Sequence, residues 1–249
     1  MGSCFRDLHK PTTNNLSPLK STYQQGGLMS GVKFLLTGFE ACGKSTITST
    51  LTEAIVVNMD QKEYNFKVPH VNIKEYEGMD VLIALVTQKV EAYSAKFGKL
   101  PKTIVFDTVT QMYSAMQKHN ADKYKGFDVH TKNNQETMAF NQFIEQDLIP
   151  AGINVVIVAH TLYDEATSRH IIPATGAFAK AGSWLSVVNN SAFVERKTNK
   201  LVVHLRGLKF PTRTTIEGLP ESVDIDDYSL QDHLDQLAST QIEAEEWLL

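Results

Sequence analysis

The sequence predicts an α/β fold: a mostly parallel sheet flanked by helices, with antiparallel strands added at the C-terminal side. Three observations carry that prediction. Short apolar, β-branched runs alternate with stretches of helical periodicity up to about residue 160, the order that builds βαβ units. A glycine-rich segment, "GFEACGKST" at residues 38–46, directly follows the first of those runs. Beyond residue 186 the alternation stops, and "SVVNNSAFVERKTNKLVVHLRGLKFPTRTTI" reads as consecutive strands joined by a turn around Thr198-Asn199-Lys200.

Residues 1–30 are rich in Thr, Asn, Ser, Gln and Gly and lack periodicity, so they read as an N-terminal arm ahead of a domain at 31–228. "VKFLLTG" (32–38) predicts the first strand, and "STITSTLTEA" (45–54) a helix after the glycine-rich loop. "AIVVNMD" (54–60) is a strand ending in an acid, "VLIALVTQKVEAYSAKF" (81–97) a helix capped by Asp80, and "KTIVFD" (102–107) a buried strand. "TQMYSAMQKHNADKY" and "NQETMAFNQFIEQDLI" have helical spacing, and "NVVIVAH" (154–160) is apolar enough for a strand buried on both faces. Residues 229–249 predict a C-terminal helix and a tail, "IEAEEWLL". That tail either docks on the core or competes for a basic groove or a partner.

Composition narrows the function classes. The chain has 249 residues, enough for one large core, and a net charge of −4 from 24 basic and 28 acidic side chains. That balance excludes a wholesale basic coat for nucleic acid or membrane, so any such binding is local. Two cysteines, Cys4 and Cys42, one of them inside the glycine-rich loop, argue for a reducing compartment and against a disulfide scaffold. No apolar run reaches membrane-spanning length and "MGSCFRDLHK" lacks a secretion signal. The expectation is a soluble cytoplasmic protein with no membrane partner.

The glycine-rich segment matches the phosphate-binding pattern G-x-x-x-x-G-K-[ST]: Gly38, then Phe39, Glu40, Ala41 and Cys42, then Gly43, Lys44 and Ser45, followed by Thr46. Such a loop curls so that backbone N–H groups face phosphate oxygens at the start of a helix. Lys44, read as an exposed loop cation, would reach the β- and γ-phosphates, and Ser45 would be a ligand of Mg²⁺. The cofactors implied are ATP and Mg²⁺. Asp107, at the end of "TIVFD", is the acid a P-loop nucleotidase uses to hold Mg²⁺ from a strand expected beside the phosphate loop; it could instead cap the next helix. To polarise an attacking water, "VVNMDQKEY" offers Asp60 first and Glu63 second, each of which also fits a solvated loop carboxylate. His160 ends "NVVIVAH", where it either senses the γ-phosphate and relays it to residues 161–183 or is an ordinary hydrogen-bonded histidine.

"LLTGFEACGKST", "KTIVFDTVTQMY", "NVVIVAHT" and especially "LVVHLRGLKFPTRTTIEGLPES" together resemble the phage nucleotide-binding ATPases of the RecA-like fold, the group that includes Sak-type single-strand annealing proteins. The resemblance covers roughly residues 30–240. It implies a RecA-like P-loop core and a homo-oligomer, ring or filament, with ATP at subunit interfaces. It also implies single-stranded DNA as ligand and a single-strand binding protein as a further partner. By the same resemblance Lys44, Ser45 and Asp107 carry nucleotide and metal, His160 is the sensor, and Lys209 and Arg213 reach a neighbour's γ-phosphate. The RecA pattern expects Glu where this chain has Asp60, which bears on hydrolysis rate more than on binding. From the residues alone, Arg206, Lys209 and Arg213 lie close in sequence and fit either trans-acting cations or a solvated strand edge.

Two segments qualify as DNA-contacting loops. "KHNADKYKGFDVHTKNN" (118–134) interleaves Lys123 and Lys125 with Tyr124 and Phe127, and residues 161–184 offer Arg169 and Lys180 with Tyr163, Phe178 and Trp184. Cations neutralise phosphates while aromatic faces stack on bases without reading sequence; both segments also carry acids, as solvated loops do. The function expected is an ATP·Mg²⁺-binding ATPase that binds single-stranded DNA in phage-type recombination or annealing. The alternatives are a small-molecule P-loop kinase and a non-hydrolysing nucleotide-gated scaffold. A GTPase is disfavoured, because neither N-K-x-D nor D-x-x-G stands where it would be needed.

Overall fold

The computed structural model describes residues 30–60, 63–173, 184–198 and 200–245. Residues 1–29 of the predicted arm, Phe178, Lys180 and the final Glu246-Trp247-Leu248-Leu249 lie outside them.

An eight-stranded sheet runs through the molecule in the order β10-β9-β8-β1-β5-β4-β2-β3. Its strands are β1 (Lys33–Gly38), β2 (Ala54–Asn58), β3 (His70–Asn72), β4 (Thr103–Asp107), β5 (Asn154–His160), β8 (Asn190–Lys197), β9 (Lys200–His204) and β10 (Ser222–Asp224). A separate hairpin pairs β6 (Leu162–Asp164) with β7 (Arg169–Ile171). The six strands from β8 to β3 are mutually parallel, and β9 and β10 add antiparallel. The fold class is as the sequence predicts, with two refinements. The parallel part continues past residue 160 into β8, and the strand beside the phosphate loop is β5, not β4: Gly38 pairs with His160, and Asp107 lies one strand further out. Strand order depends on which edges meet, which no local pattern records.

Alternation along the strands builds two apolar layers. Leu35, Ile104, Phe106, Val155 and Ile157 face one side with helices α2 (Met79–Phe97), α3 (Val109–Lys123) and α4 (Phe127–Phe143). Phe34, Leu36, Val105, Val156 and Val158 face the other, with α1 (Lys44–Thr48) and α5 (Leu230–Glu245). Each such side chain contributes roughly 1.5–3 kcal/mol on burial. In α5, Leu230, Leu234 and Leu237 are buried against this second layer, so the described part of the C-terminal helix docks on the core. Among the described residues no helix is long and apolar enough to cross a membrane.

Three local expectations are corrected. The helix after the phosphate loop spans only Lys44–Thr48, because Thr48, Ser49 and Thr50 each donate a side-chain hydroxyl to the carbonyl three residues earlier, a bond that competes with helix propagation. Helix α2 begins at Met79 with Gly78 as its cap residue, so Asp80 lies in the first turn, where it favours the helix dipole. The segment 118–134 is not a loop: α3 runs to Lys123 and α4 starts at Phe127, leaving a tight turn. Its polar residues form a buried network in which Asn120 donates to Asn133 (2.8 Å) and Glu136 (3.0 Å), and the Tyr76 hydroxyl donates to Glu136 (3.0 Å). Tyr76 stands just beyond β3, while the helical continuation of α4 runs to Ala151, and the Ile149 carbonyl in its last turn accepts from Gly31 N at the foot of β1 (2.8 Å). The α3–α4 turn therefore lies on the carboxyl side of the sheet, the side of the phosphate loop.

Candidate functional site

The loop between β1 and α1 stands at the carboxyl end of the sheet, clasped by its neighbours. A Cβ on Gly38 (φ 151°) would come within 2.4 Å of the Val194 carbonyl oxygen of β8, so no other residue fits there without displacing the sheet. Gly43 takes φ 93°, which other residues rarely adopt.

Lys44 is not exposed but buried at 4 % exposure. Its ammonium donates to the carbonyls of Phe39 (2.6 Å) and Gly38 (3.0 Å), and lies 3.2 Å from His160 Nδ1 and 3.5 Å from Cys42 Sγ. Burial pulls its pKa down, while Cys42, Asp107 and Glu40 pull it back up. Cys42 is buried as filling between loop and strand.

Asp107 also ends in the site. Thr108, not Asp107, caps α3, its hydroxyl accepting from Gln111 N. The Asp107 carboxylate instead accepts the Ser45 hydroxyl at 2.7 Å. Burial raises the Asp107 pKa; Ser45 and Lys44 lower it, and Asp60 raises it further. A buried carboxylate held beside a hydroxyl and a cation is poised for a ligand that adds positive charge.

Asp60 reaches this centre from the loop after β2. It is half-buried, its backbone N–H is bonded to Asn58 Oδ1 (3.2 Å) and the Asp107 carbonyl (3.3 Å), and its charge is felt by Asp107. Glu63 is exposed. His160 ends β5, between β1 and the strand that carries Asp107: its side chain faces Lys44, and its backbone N–H donates to Thr110 Oγ1 of α3 (2.9 Å). Lys44, Ser45, Asp60, Asp107 and His160 thus converge.

The remaining predicted residues do not. Arg213 donates to the carbonyls of Leu185 (3.1 Å) and Val188 (3.2 Å) and pairs through its backbone with Ser191, low on β8, so within its own chain it ties down the segment before that strand. Lys209 is exposed, 5.0 Å from the centre of the Phe210 ring, and its charge lowers the pKa of His170 and of His204, after burial of each ring. Lys123 and Lys125 flank the exposed α3–α4 turn with Phe127, 81 % exposed. Arg169 is exposed on β7. Trp184 is fully buried, stacked on Tyr113 and edge-on to Phe140, and has no face to offer a base.

The sequence reading did not find the contact between the β6–β7 hairpin and the loop. Phe39 meets His170 edge-to-face with centroids 5.2 Å apart, and His170 lies among Tyr163, Phe193 and Phe210. The hairpin that follows His160 therefore touches the phosphate loop through Phe39. Nor did it single out Arg196, whose guanidinium donates to the Ala41 carbonyl at 2.8 Å.

No curated protein matches the chain. A family model described as an AAA domain matches residues 30–183, more than half of the chain and the whole span from β1 through β7. With the phosphate loop, the acid at the end of β4 and the parallel sheet that presents both, the chain belongs to this AAA domain family, a P-loop nucleotide-binding ATPase domain.

Proposed function

We propose that the protein is an ATP·Mg²⁺-dependent ATPase of RecA-like organisation that binds single-stranded DNA as a homo-oligomer and serves phage-type recombination or annealing. The observation that carries the nucleotide part is the convergence of Lys44, Ser45, Asp107 and His160 on one loop at the carboxyl ends of β1, β5 and β4. Ser45 Oγ and Asp107 Oδ2, 2.7 Å apart, are two hard oxygen donors. They suit Mg²⁺, which takes few protein ligands and completes its shell with phosphate and water. When bound, that ion offsets the charge that builds on phosphate oxygens. The ammonium of Lys44, now on the carbonyls of Gly38 and Phe39, is the cation to exchange those acceptors for phosphate oxygens. Asp60, close enough to perturb Asp107, is the residue proposed to orient the attacking water.

DNA binding is supported by the placement of two exposed elements on the carboxyl side of the sheet. The α3–α4 turn carries Lys123, Lys125, Tyr124 and Phe127, and the β6–β7 hairpin carries Arg169 and Tyr163. Phe39 beside His170 gives the hairpin a direct contact with the loop, and His160, beside Lys44, ends the strand that leads into the hairpin, so an occupied loop can alter it by both routes.

One observation favours the kinase reading. A cleft of about 470 Å³ lies beyond the ends of β2 and β3, lined among others by Met59, Tyr76, Gln111, Lys118, His119 and Asp122, and could seat a small acceptor. The assay that separates the two is ATP hydrolysis with and without single-stranded DNA, run beside a phosphorylation screen on nucleosides. DNA-stimulated release of phosphate supports the ATPase; a phosphorylated nucleoside with no DNA effect supports the kinase.

A further inference from the structure

The C-terminal hairpin β8–β9 lies outside the matched span 30–183, yet it holds the phosphate loop. Strand β8 runs parallel to β1 with Val194 opposite Gly38, the last residue of β1, so Arg196 lies two residues beyond the end of β1, beside the loop. Its Nη2 donates to Ala41 O at 2.8 Å. Ala41 is a non-glycine residue at φ 53°, a conformation that needs an outside restraint. Leu201 of β9 and Ile225 back the loop at Gly43, where an added Cβ would stand 2.8 Å and 3.4 Å from their Cδ1 atoms. The neighbouring cations are engaged elsewhere, Lys197 with Glu195 and Lys200 with Asp224; among the described residues no carboxylate pairs with Arg196.

In a trans peptide the C=O and the following N–H point in opposite directions. With Arg196 on the outside holding Ala41 O, the Cys42 N–H is aimed the other way, into the loop. A cation on the oxygen also polarises the same peptide group and makes its N–H a stronger donor. We propose that Arg196 is a positioning residue of the nucleotide site: it fixes the Ala41–Cys42 peptide so that the Cys42 N–H meets a phosphate of bound nucleoside di- or triphosphate. The inference rests on the loop being a nucleotide site.

The test is calorimetric titration of wild type, R196A and R196K with ADP and with a non-hydrolysable ATP analogue, together with steady-state ATPase kinetics and thermal melts without nucleotide. Losing one well-aimed donor to an anion weakens binding roughly tenfold. In R196A, Kd should rise by about that factor for both nucleotides, and KM with it, while kcat stays within about twofold, the mark of uniform binding. R196K, which keeps the cation, should recover much of the loss, and R196A without nucleotide should melt with the wild type. Wild-type affinity in R196A overturns the proposal, as does a fall in kcat at unchanged KM or a lowered melting temperature that accounts for the weaker binding. Wild type that binds neither nucleotide overturns the reading of the loop itself, a result distinct from any of these.

Discussion

The strand ends around Gly38 and the two hairpins beside them, the helical one at the α3–α4 turn and β6–β7, carry similar residue types under opposite conditions. At the strand ends Lys44 and Asp107 are buried, Lys44 held by the carbonyls of Gly38 and Phe39 and Asp107 by the Ser45 hydroxyl. On the hairpins Lys123, Lys125 and Arg169 are exposed beside Tyr124, Phe127 and Tyr163. Burying a charge is costly unless partners compensate, so the first region has been shaped for chemistry at fixed distances. The second leaves its cations and rings exposed, as the proposed binding of an irregular, flexible polyanion requires. Substitutions should therefore separate the two: changes at the strand ends should act on nucleotide, and changes on the hairpins on DNA.

The largest effect is expected from K44A, which removes the only ammonium among the described residues that the loop carbonyls hold. ATP turnover should fall on the order of 10²–10³-fold, with a melting temperature near that of the wild type, since the lost hydrogen bonds are offset by the absence of a desolvated charge. Wild-type turnover, measured by phosphate release, would break the assignment of the strand ends. D107N comes next. Mg²⁺-dependent hydrolysis should drop at least about 10²-fold, while nucleotide binding measured without Mg²⁺ is largely kept. Because burial raises the Asp107 pKa, its ionised form opposes folding near neutrality. Stability of the nucleotide-free protein then rises as pH falls from the raised folded value toward the ordinary 3.8, and D107N should flatten that part of the profile and raise the neutral-pH melting temperature.

His233 tests the frame beneath both regions. Packed edge-on to Phe34 and bonded through Nδ1 to the Tyr228 hydroxyl (2.9 Å), it has its pKa lowered by burial from 6.5 to about 4. The folded state thus refuses a proton that the unfolded chain accepts. Stability is lost as pH falls below about 6.5, by roughly 3 kcal/mol by the time it reaches about 4. Urea unfolding across that window should show the loss, and H233Q should remove it. Smallest is the pair K123E/K125E, or R169E alone: single-strand affinity should weaken roughly tenfold at low salt, with ATP affinity unchanged. A loss of ATP affinity in these variants would erase the separation between the regions.

Much of the strand-end region was legible in the sequence because its chemistry is written at fixed offsets. Gly38, Gly43, Lys44 and Ser45 must be spaced as they are for one turn of backbone to surround a phosphate, and Asp107 must end an apolar run. What escaped depends on distance along the chain. Arg196 meets Ala41 across 155 residues, and the insertion of β5 between β1 and β4 follows from packing rather than from any local signal. The α3–α4 segment misled for a different reason: Asn120, Asn133 and Glu136 are polar, as loop residues are, but the Asn120 amide donates to the other two inside the protein, and a buried polar network has the composition of a solvated turn. The short α1 could be read only by noticing that a run of Ser and Thr bonds its own backbone.

The measurement that tests the coupled account most directly is a fluorescence-anisotropy titration of labelled single-stranded DNA, with and without a non-hydrolysable ATP analogue, across a salt series. On the proposed coupling, binding should be tighter with the analogue: Phe39 of the loop touches His170 of the β6–β7 hairpin, and His160, beside Lys44, ends the strand that leads into it. It should also weaken with salt by a logarithmic slope of about −0.7 per phosphate contacted. Absence of single-strand binding at low salt, with or without the analogue, would contradict the account and leave the nucleotide site to serve a kinase or a scaffold.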